Sequence, residues 1–340
     1  MNKLVTLGFE SSCDDSSVAL VNSGGFVYKC ITENQNSIHN LYGGVIPELA
    51  AREHLQVFRK ITDNVLNFLN TNNLQVDKVA VARAPGLLGP LMVGSTFAAG
   101  IASGLDVPLV GVNHLRAHIA SVFLYDQIKQ EQLLKNANWP ATVLLVSGGH
   151  TMLVNVNQGL AVEVLAQTSD DSAGECFDKS AKILGLGYPG GPEIERQAQK
   201  ATKLDLAKGI FKKLPSPVSS QGFSFSGLKT AIRYYYEKNP STPVPEFCWA
   251  IQESIANSLI NILTKLYKQG LIQRQIYFCG GVAANSRIRE LLNTWGAKRD
   301  VHPFFPSLKY CTDNAAMIAL CANIQDTKYI VTETNSRDKL

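Results

Sequence analysis

Hydrophobic and polar positions along the chain change period in a definite order. Residues 5–11, 17–21 and 26–32 are apolar runs of strand length, and the polar stretches 12–15 and 22–25 between them have turn composition. The period then lengthens. Across residues 48–69, Leu55, Phe58, Ile61, Val65 and Phe68 fall at helical spacing, which predicts an amphipathic helix. Residues 78–84 and 107–112 read as further strands, each followed by a helical stretch. After a polar segment that ends at Pro140, the order begins again. Residues 142–146, 151–156 and 161–167 predict three strands, with the turn 147–150 between the first two. Helical patterns start at Ala173, Gly191 and Phe225, and residues 247–267 set Ile251, Ile255, Leu259, Ile262 and Leu266 on one stripe. Residues 276–279 form a short apolar strand, Asn285 starts another helix, and residues 312–324 make the last.

Three meandering strands followed by alternating helix and strand thus occur twice. Such a repeat predicts two similar α/β lobes facing each other across a cleft. The expected lobes are residues 1–138, with the first strand meander, and 139–340, with the later glycine-rich turns and the Cys311–Asn314 segment. Residues 84–105 carry no charge and are long enough to span a membrane. Pro85, Pro90 and five glycines in that stretch favour a buried helix behind a Gly/Pro loop.

Composition narrows the class. Of 340 residues, 45% are hydrophobic and 18% charged, the profile of a folded soluble protein long enough for two domains. A net charge of +4 permits contact with a polyanion without requiring it. Cys13, Cys30, Cys176, Cys248, Cys279, Cys311 and Cys321 are odd in number and contain no C-x-x-C pair. A disulfide framework or zinc-thiolate cluster is therefore not expected, and a reducing compartment is. The strand pattern begins almost at the N-terminus, so no signal or transit peptide is expected.

Two loops open the expected lobes, Glu10 to Ser16 and Val146 to Thr151. Ser147, Gly148 and Gly149 suit an anion, because glycine lets successive N–H groups approach it closely. Glu10, Asp14 and Asp15 would repel a phosphate unless a cation lies between, or unless one of them acts as a base. An ordinary polar hairpin turn would have the same composition. Gly280 and Gly281 follow an apolar strand and precede a helix, a context for nucleotide binding. Neither the G-x-G-x-x-G nor the P-loop pattern is present.

Two of the six histidines, His114 and His118, are four residues apart where a helix should start, so both rings can meet one ion. The inner positions are Leu115, Arg116 and Ala117, so the glutamate that a zinc peptidase needs beside its histidines is missing. A third ligand must come from elsewhere, and Asp313 is a candidate; the alternative for Thr312 or Asp313 is a helix N-cap. Two histidines, one carboxylate and open positions suit Fe2+ as well as Zn2+.

The blocks FESSCDDSS, GGVIPELAAREH, APGLLGPLMVG, HLRAH, LLVSGGHT, DDSAGECFDKSAKILGLGYPGGP, FSFSGLKT, CGGVAANSRIR and YCTDNAAMIA stand in one order along the chain. Together they resemble the TsaD family of tRNA N6-adenosine threonylcarbamoyltransferases, in its bacterial and mitochondrial branch. The resemblance runs from Leu4 to about Ala322, with a variable stretch at 127–139. It implies an α/β fold of the actin-like ATPase superfamily, with two ribonuclease-H-like lobes. It also implies transfer of a threonylcarbamoyl group from threonylcarbamoyl-adenylate to the adenosine beside the anticodon, in tRNAs reading codons that begin with A.

Carried over by position, the resemblance makes His114, His118 and Asp313 ligands of one divalent metal, Fe2+ before Zn2+ or Mg2+. Leu145, Val146, Ser147, Gly148, Gly149, Asp178, Gly191, Glu195 and Asn285 become adenylate-binding positions, and Asp14 and Asp15 the acidic loop needed for activity. Ser11 stands where threonine is common, Glu195 where many relatives have aspartate, and the C-terminus, 335–340, is short. The implied partners are tRNA, a non-catalytic TsaB-like paralogue and a small TsaE-like ATPase in the cytoplasm, or a homodimer in the mitochondrial matrix. The paralogue lacks the histidine pair, so HLRAH and CTDN point to the catalytic member. A kinase or hydrolase of the same superfamily, acting on ATP directly, is the rival reading.

Overall fold

A computed structural model describes residues 3–42, 44–127, 137, 139–217 and 222–325. The short C-terminus and most of the variable stretch at 127–139 lie outside the described residues. The chain divides into two compact units. One holds the described residues of Met1–Trp139, Asn157–Ala161 and Pro306–Leu340, the other Pro140–Val156 and Val162–Phe305.

The first unit opens with an antiparallel meander, β1 (Val5–Glu10), β2 (Asp15–Asn22) and β3 (Val27–Asn34). After α1 (Asn36–His39) and α2 (Pro47–Thr71), β4 (Lys78–Ala84) joins parallel to β1. Then α3 (Leu88–Leu105) leads to β5 (Leu109–Asn113), parallel to β4, and to α4 (His114–Ala120). The sheet order is β3-β2-β1-β4-β5. Alternate strand residues face opposite ways: Leu7, Phe9, Val18 and Leu20 share one core with Phe58, Ile61 and Val65 of α2 and Ala98 of α3.

The buried stripe of α2 is Ala50, His54, Phe58, Ile61, Val65 and Leu69. Leu55, expected on it, is 60% exposed, and His54 takes its place in the core. Helix α3 is long and apolar enough to cross a membrane by length and composition. It packs on β4 and α2 through one face, burying Leu91, Gly94, Ala98 and Ala102.

The second unit repeats the plan. β6 (Ala141–Val146), β7 (Thr151–Val156) and β8 (Val162–Thr168) form an antiparallel meander. There follow α5 (Ala173–Ile183), α6 (Gly190–Ala198), α7 (Leu204–Phe211), β9 (Gly222–Phe223), α8 (Ser226–Lys238) and α9 (Val244–Lys268). β10 (Gln275–Cys279) pairs parallel with β6, and after α10 (Ser286–Ala297) β11 (His302–Phe304) pairs parallel with β10. All five residues of the predicted α9 stripe are buried. The order β11-β10-β6-β7-β8-β9 reproduces that of the first sheet and adds β9 beyond β8. The internal repeat read from the sequence is therefore present in the strand order.

The last described helix, α11 (Ala315–Ile324), returns to the first unit and packs on β1, β2 and β4. Gly8, on the opposite face of β1 from Leu7 and Phe9, lies under Ala315 and Ala319, and the Ala315 N–H donates to Ser17 Oγ (2.9 Å). Asp313 was expected in the C-terminal lobe; the burial of α11, all but two of whose residues are buried, brings it into the first unit instead. The helix is capped by Asn314, whose side chain accepts from Met317 N–H (3.0 Å), and not by Thr312 or Asp313. All seven cysteines are free thiols.

Candidate functional site

The end of β5 runs directly into α4. Asn113 caps the helix, its Oδ1 accepting from the N–H groups of Leu115 (3.0 Å) and Arg116 (3.2 Å), which fixes the first turn. His114 and His118 then stand one turn apart, with ring centroids separated by 4.7 Å. Asp313 Oδ1 lies 3.1 Å from His118 Nε2 and 3.6 Å from His114 Nε2. One ligand atom from each of the three residues falls within 4.8 Å of the others. His118 is fully buried, and neither of its ring nitrogens has a hydrogen-bond partner among the described residues. A buried imidazole facing a carboxylate without hydrogen-bond geometry fits a shared cation, because an unpaired buried polar atom is costly. The donor set, two nitrogens and one oxygen, fits a divalent transition metal.

His114 is held from behind. Glu10, the last residue of β1 and fully buried, approaches His114 Nδ1 with Oε2 (3.0 Å), and its Oε1 accepts from the Ser12 N–H (2.5 Å). Ser12 Oγ stands 3.1 Å from the same ring nitrogen. Burial pulls the His114 pKa down, but the Glu10 and Asp313 carboxylates outweigh it and raise the value to about 9.

The acidic loop is not an exposed hairpin turn. Ser11 and Ser12 are buried, and Cys13, Asp14 and Asp15 are half-buried. Three elements grip the loop. Ser11 Oγ donates to Pro90 O (3.0 Å), the Leu87 N–H donates to Ser12 O (2.8 Å), and His54 Nε2 donates to Cys13 O (3.0 Å). The other nitrogen of His54 therefore accepts from Ser16 Oγ (2.6 Å). Helix α3 can come this close only because residue 94 is glycine; a Cβ there would meet Ser11 Oγ at 2.0 Å. Burial raises the Asp14 pKa, against the Cys13 thiol, which lowers it. Burial, then the charges of Asp313, Asp14 and Glu10, push Asp15 up to about 8.

The expected adenylate positions lie in the second unit, and Asp178 and Glu195 each bond to a residue adjacent to another of them. Ser147 and His150 close the β6–β7 loop through Ser147 N–H to His150 O (2.8 Å) and His150 N–H to Ser147 Oγ (3.1 Å). Gly148 and Gly149 are exposed, and a Cβ on either would point into open space. The loop is flanked on two sides: a Cβ on Gly174 of α5 would strike Ser147 O at 2.4 Å, and one on Gly280 would strike Val146 O at 2.4 Å. Leu145 and Val146 are fully buried strand residues, so they support the loop from within the sheet. Asp178 accepts from the Gly190 N–H (2.7 Å), next to Gly191. Glu195 accepts from the Ser286 N–H (2.8 Å), next to Asn285. Asn285 caps α10 with its oxygen and donates from Nδ2 to Gln252 Oε1 (2.9 Å).

Sequence reasoning assigned no role to His54 or Gln252 and saw Glu10 only as a loop carboxylate. The polar residue on the apolar stripe of α2 was the available signal for His54.

The sequence matches the family model described as "TsaD: tRNA N6-adenosine threonylcarbamoyltransferase" over residues 26–320. A protein of Carboxydothermus hydrogenoformans named "tRNA N6-adenosine threonylcarbamoyltransferase" is 43% identical over 317 residues, 93% of this chain and 90% of its own. One of the same name from Thermotoga neapolitana is 42% identical, covering 92% and 91%. This chain belongs to the TsaD family. The TsaD match includes His114, His118 and Asp313, whereas Glu10 and the acidic loop precede its first residue. Two solved structures share the fold. Component A of the Acidaminococcus fermentans (R)-2-hydroxyglutaryl-CoA dehydratase has a TM-score of 0.54 at 15% identity, covering 94% of this chain and 98% of its own. The activator of the Clostridium difficile 2-hydroxyisocaproyl-CoA dehydratase, solved with ADPNP, gives 0.52 at 14%, covering 94% of each. This likeness concerns the fold alone, that of the actin-like ATPases.

Proposed function

We propose that this chain transfers the threonylcarbamoyl group of threonylcarbamoyl-adenylate to N6 of the adenosine beside the anticodon, in tRNAs that read codons beginning with A. The observation that carries the reading is the convergence of His114, His118 and Asp313 in a chain whose TsaD relatives match over about nine-tenths of their length.

The reaction is an acyl transfer. The N6 nitrogen attacks the carbamoyl carbon, the bond from that carbon to the phosphate oxygen breaks, and AMP leaves with the bonding pair. His114, His118 and Asp313 hold a divalent metal, Fe2+ in our reading with Zn2+ or Mg2+ as alternatives, which supplies positive charge for the donor's oxygens. Asp14 and Asp15 sit in a loop fixed by hydrogen bonds to α2 and α3, and one of them receives the N6 proton. The other places the donor. In the second unit, Ser147, Gly148 and Gly149 offer N–H groups to the adenylate phosphate, and Asp178, Gly191, Glu195 and Asn285 complete the nucleotide-binding set. We place the chain in the cytoplasm, with a TsaB-like paralogue and a TsaE-like ATPase as partners; seven free thiols accord with a reducing compartment.

The test is mass spectrometry of tRNA nucleosides after incubation with a threonylcarbamoyl-adenylate synthase, threonine, bicarbonate and ATP. N6-threonylcarbamoyladenosine that depends on this chain is the expected product. A phosphorylated product in its place would favour the superfamily rival that acts on ATP directly.

A further inference from the structure

We infer that Glu10 is a positioning residue for the metal centre: its buried carboxylate accepts a hydrogen bond from the Nδ1–H of His114 and thereby turns the Nε2 lone pair toward the ion. The inference rests on the metal reading above and adds to it a residue outside the three ligands. The two histidines of α4 differ in how they are held. Behind its ring His118 is held by packing, since it is fully buried and its Nδ1 has no hydrogen-bond partner among the described residues. His114 has a carboxylate oxygen 3.0 Å from Nδ1. Its Nε2 faces Asp313 at 3.6 Å, on the side where His118 also arrives.

An imidazole that binds a metal through Nε2 must carry its proton on Nδ1, and a carboxylate behind that proton fixes the tautomer, locks the ring and raises the basicity of the ligating nitrogen. Glu10 is built for this task in three respects. It is fully buried, so its charge acts in a medium of low dielectric. It ends a strand whose last pairing, Glu10 with Ser17, fixes its backbone. Its second oxygen is held by the Ser12 N–H (2.5 Å), which leaves the first directed at His114. A buried carboxylate needs such partners to be tolerated at all, and here one of them is a ligand of the proposed ion.

The experiment is titration of the full-length, metal-stripped chain with Co2+ alone, read by affinity and by the visible absorption of the bound ion. Glu10→Ala should weaken Co2+ binding by about 10- to 100-fold, the usual cost of losing such a partner, and shift the Co2+ absorption. Glu10→Gln, which keeps an acceptor oxygen without the charge, should fall between Glu10→Ala and wild type; it also serves if the alanine variant does not fold. Combined with His114→Ala, the Glu10→Ala change should add no further loss, whereas combined with His118→Ala it should add its full loss. Wild-type affinity and spectrum in both Glu10 variants would overturn the inference while leaving the metal reading intact. So would a full additional loss in the His114→Ala background. A wild-type chain that binds no Co2+ would overturn the metal reading, and this inference with it.

Discussion

Residues 11–14 join β1 to β2, and residues 147–150 join β6 to β7, at equivalent places in two sheets of the same strand order. The first loop is drawn into the protein: α2, α3 and the 86–87 turn grip it, and burial pushes its carboxyl groups above their ordinary range. The second stands open, its two glycines exposed and their Cα hydrogens facing empty space. One loop is organised to keep carboxyl side chains in fixed positions, and the other to present backbone N–H groups with room in front of them. The duplicated fold therefore does not duplicate chemistry. It provides two rigid strand ends on which unlike loops are mounted.

The largest effect should come from the acidic loop. If Asp14 or Asp15 moves the N6 proton, replacing the acting residue by Asn should slow transfer by about 10²- to 10⁴-fold. Adenylate affinity should stay within a few-fold of wild type, because the interaction is made in the transition state. Single-turnover rates and equilibrium binding of the adenylate separate the two. Wild-type rates in both Asp14→Asn and Asp15→Asn would reduce the contrast between the loops to one of burial.

The glycine loop should respond in the opposite sense. Gly148→Ala and Gly149→Ala add a methyl group that meets nothing in the protein, so the thermal midpoint should hold while adenylate affinity falls about tenfold, roughly 1.4 kcal/mol. Gly174→Ala drives a methyl group into the Ser147 carbonyl and should cost about 1–3 kcal/mol of stability, as overpacking does. Calorimetry and adenylate titration on the three variants decide it. Undiminished affinity at both 148 and 149 would remove the loop from the adenylate site.

How much of this was legible beforehand differs between the two loops for a physical reason. The repeated succession of strands and helices along the chain, the α9 stripe and the His114–His118 pair followed from periodicity and spacing, which are local. The open glycine loop was legible too, because what glycine permits is a property of the residue itself. The burial of the acidic loop was not, since it depends on α2 and α3 arriving from residues 54 and 90. Asp313 was legible as a candidate ligand and through the family resemblance, but not from spacing: it is separated from His118 by nearly the whole second unit and reaches it because α11 buries most of its surface on the first sheet. His54 was overlooked because Leu55, the better hydrophobe, fits the same helical period.

His54 gives a smaller effect with a definite sign. Its pKa is lowered from the ordinary 6.5 by burial, against the opposing pull of the Cys13 carbonyl and the charges of Glu10, Asp14 and Glu53. A histidine held neutral in the folded state contributes stability that is present above the unfolded pKa. That stability is lost as pH falls through 6.5 toward the folded value, where the unfolded chain takes up the proton first. Urea midpoints measured from about pH 7.5 down to 5.5 should therefore fall more steeply in wild type than in His54→Gln. Equal slopes would mean that the grip on the acidic loop does not depend on a neutral imidazole.

The smallest effect concerns RNA, and it asks whether either loop is served by a basic surface. Lys200, Lys203, Lys208, Lys212 and Lys213, in and around α7, are all exposed, and the Lys213 ammonium lies 5.8 Å from the centre of the Tyr235 ring. An exposed lysine run is the ordinary solvated face of a helix, and with a net charge of +4 the chain alone should bind tRNA weakly. If these lysines meet phosphates, neutralising all five should weaken binding to every tRNA alike. The dependence of affinity on salt should flatten as well, by about one unit of slope for each phosphate that no lysine neutralises any longer. If they do not meet phosphates, affinity and slope should match wild type, and the RNA must be sought on another surface. An anticodon loop already presents unpaired bases, so extruding the acceptor adenosine should require little energy from the protein. Weak binding by this chain is therefore compatible with efficient transfer once partner surfaces add their share, and the five-lysine variant should retain its transfer rate at saturating tRNA.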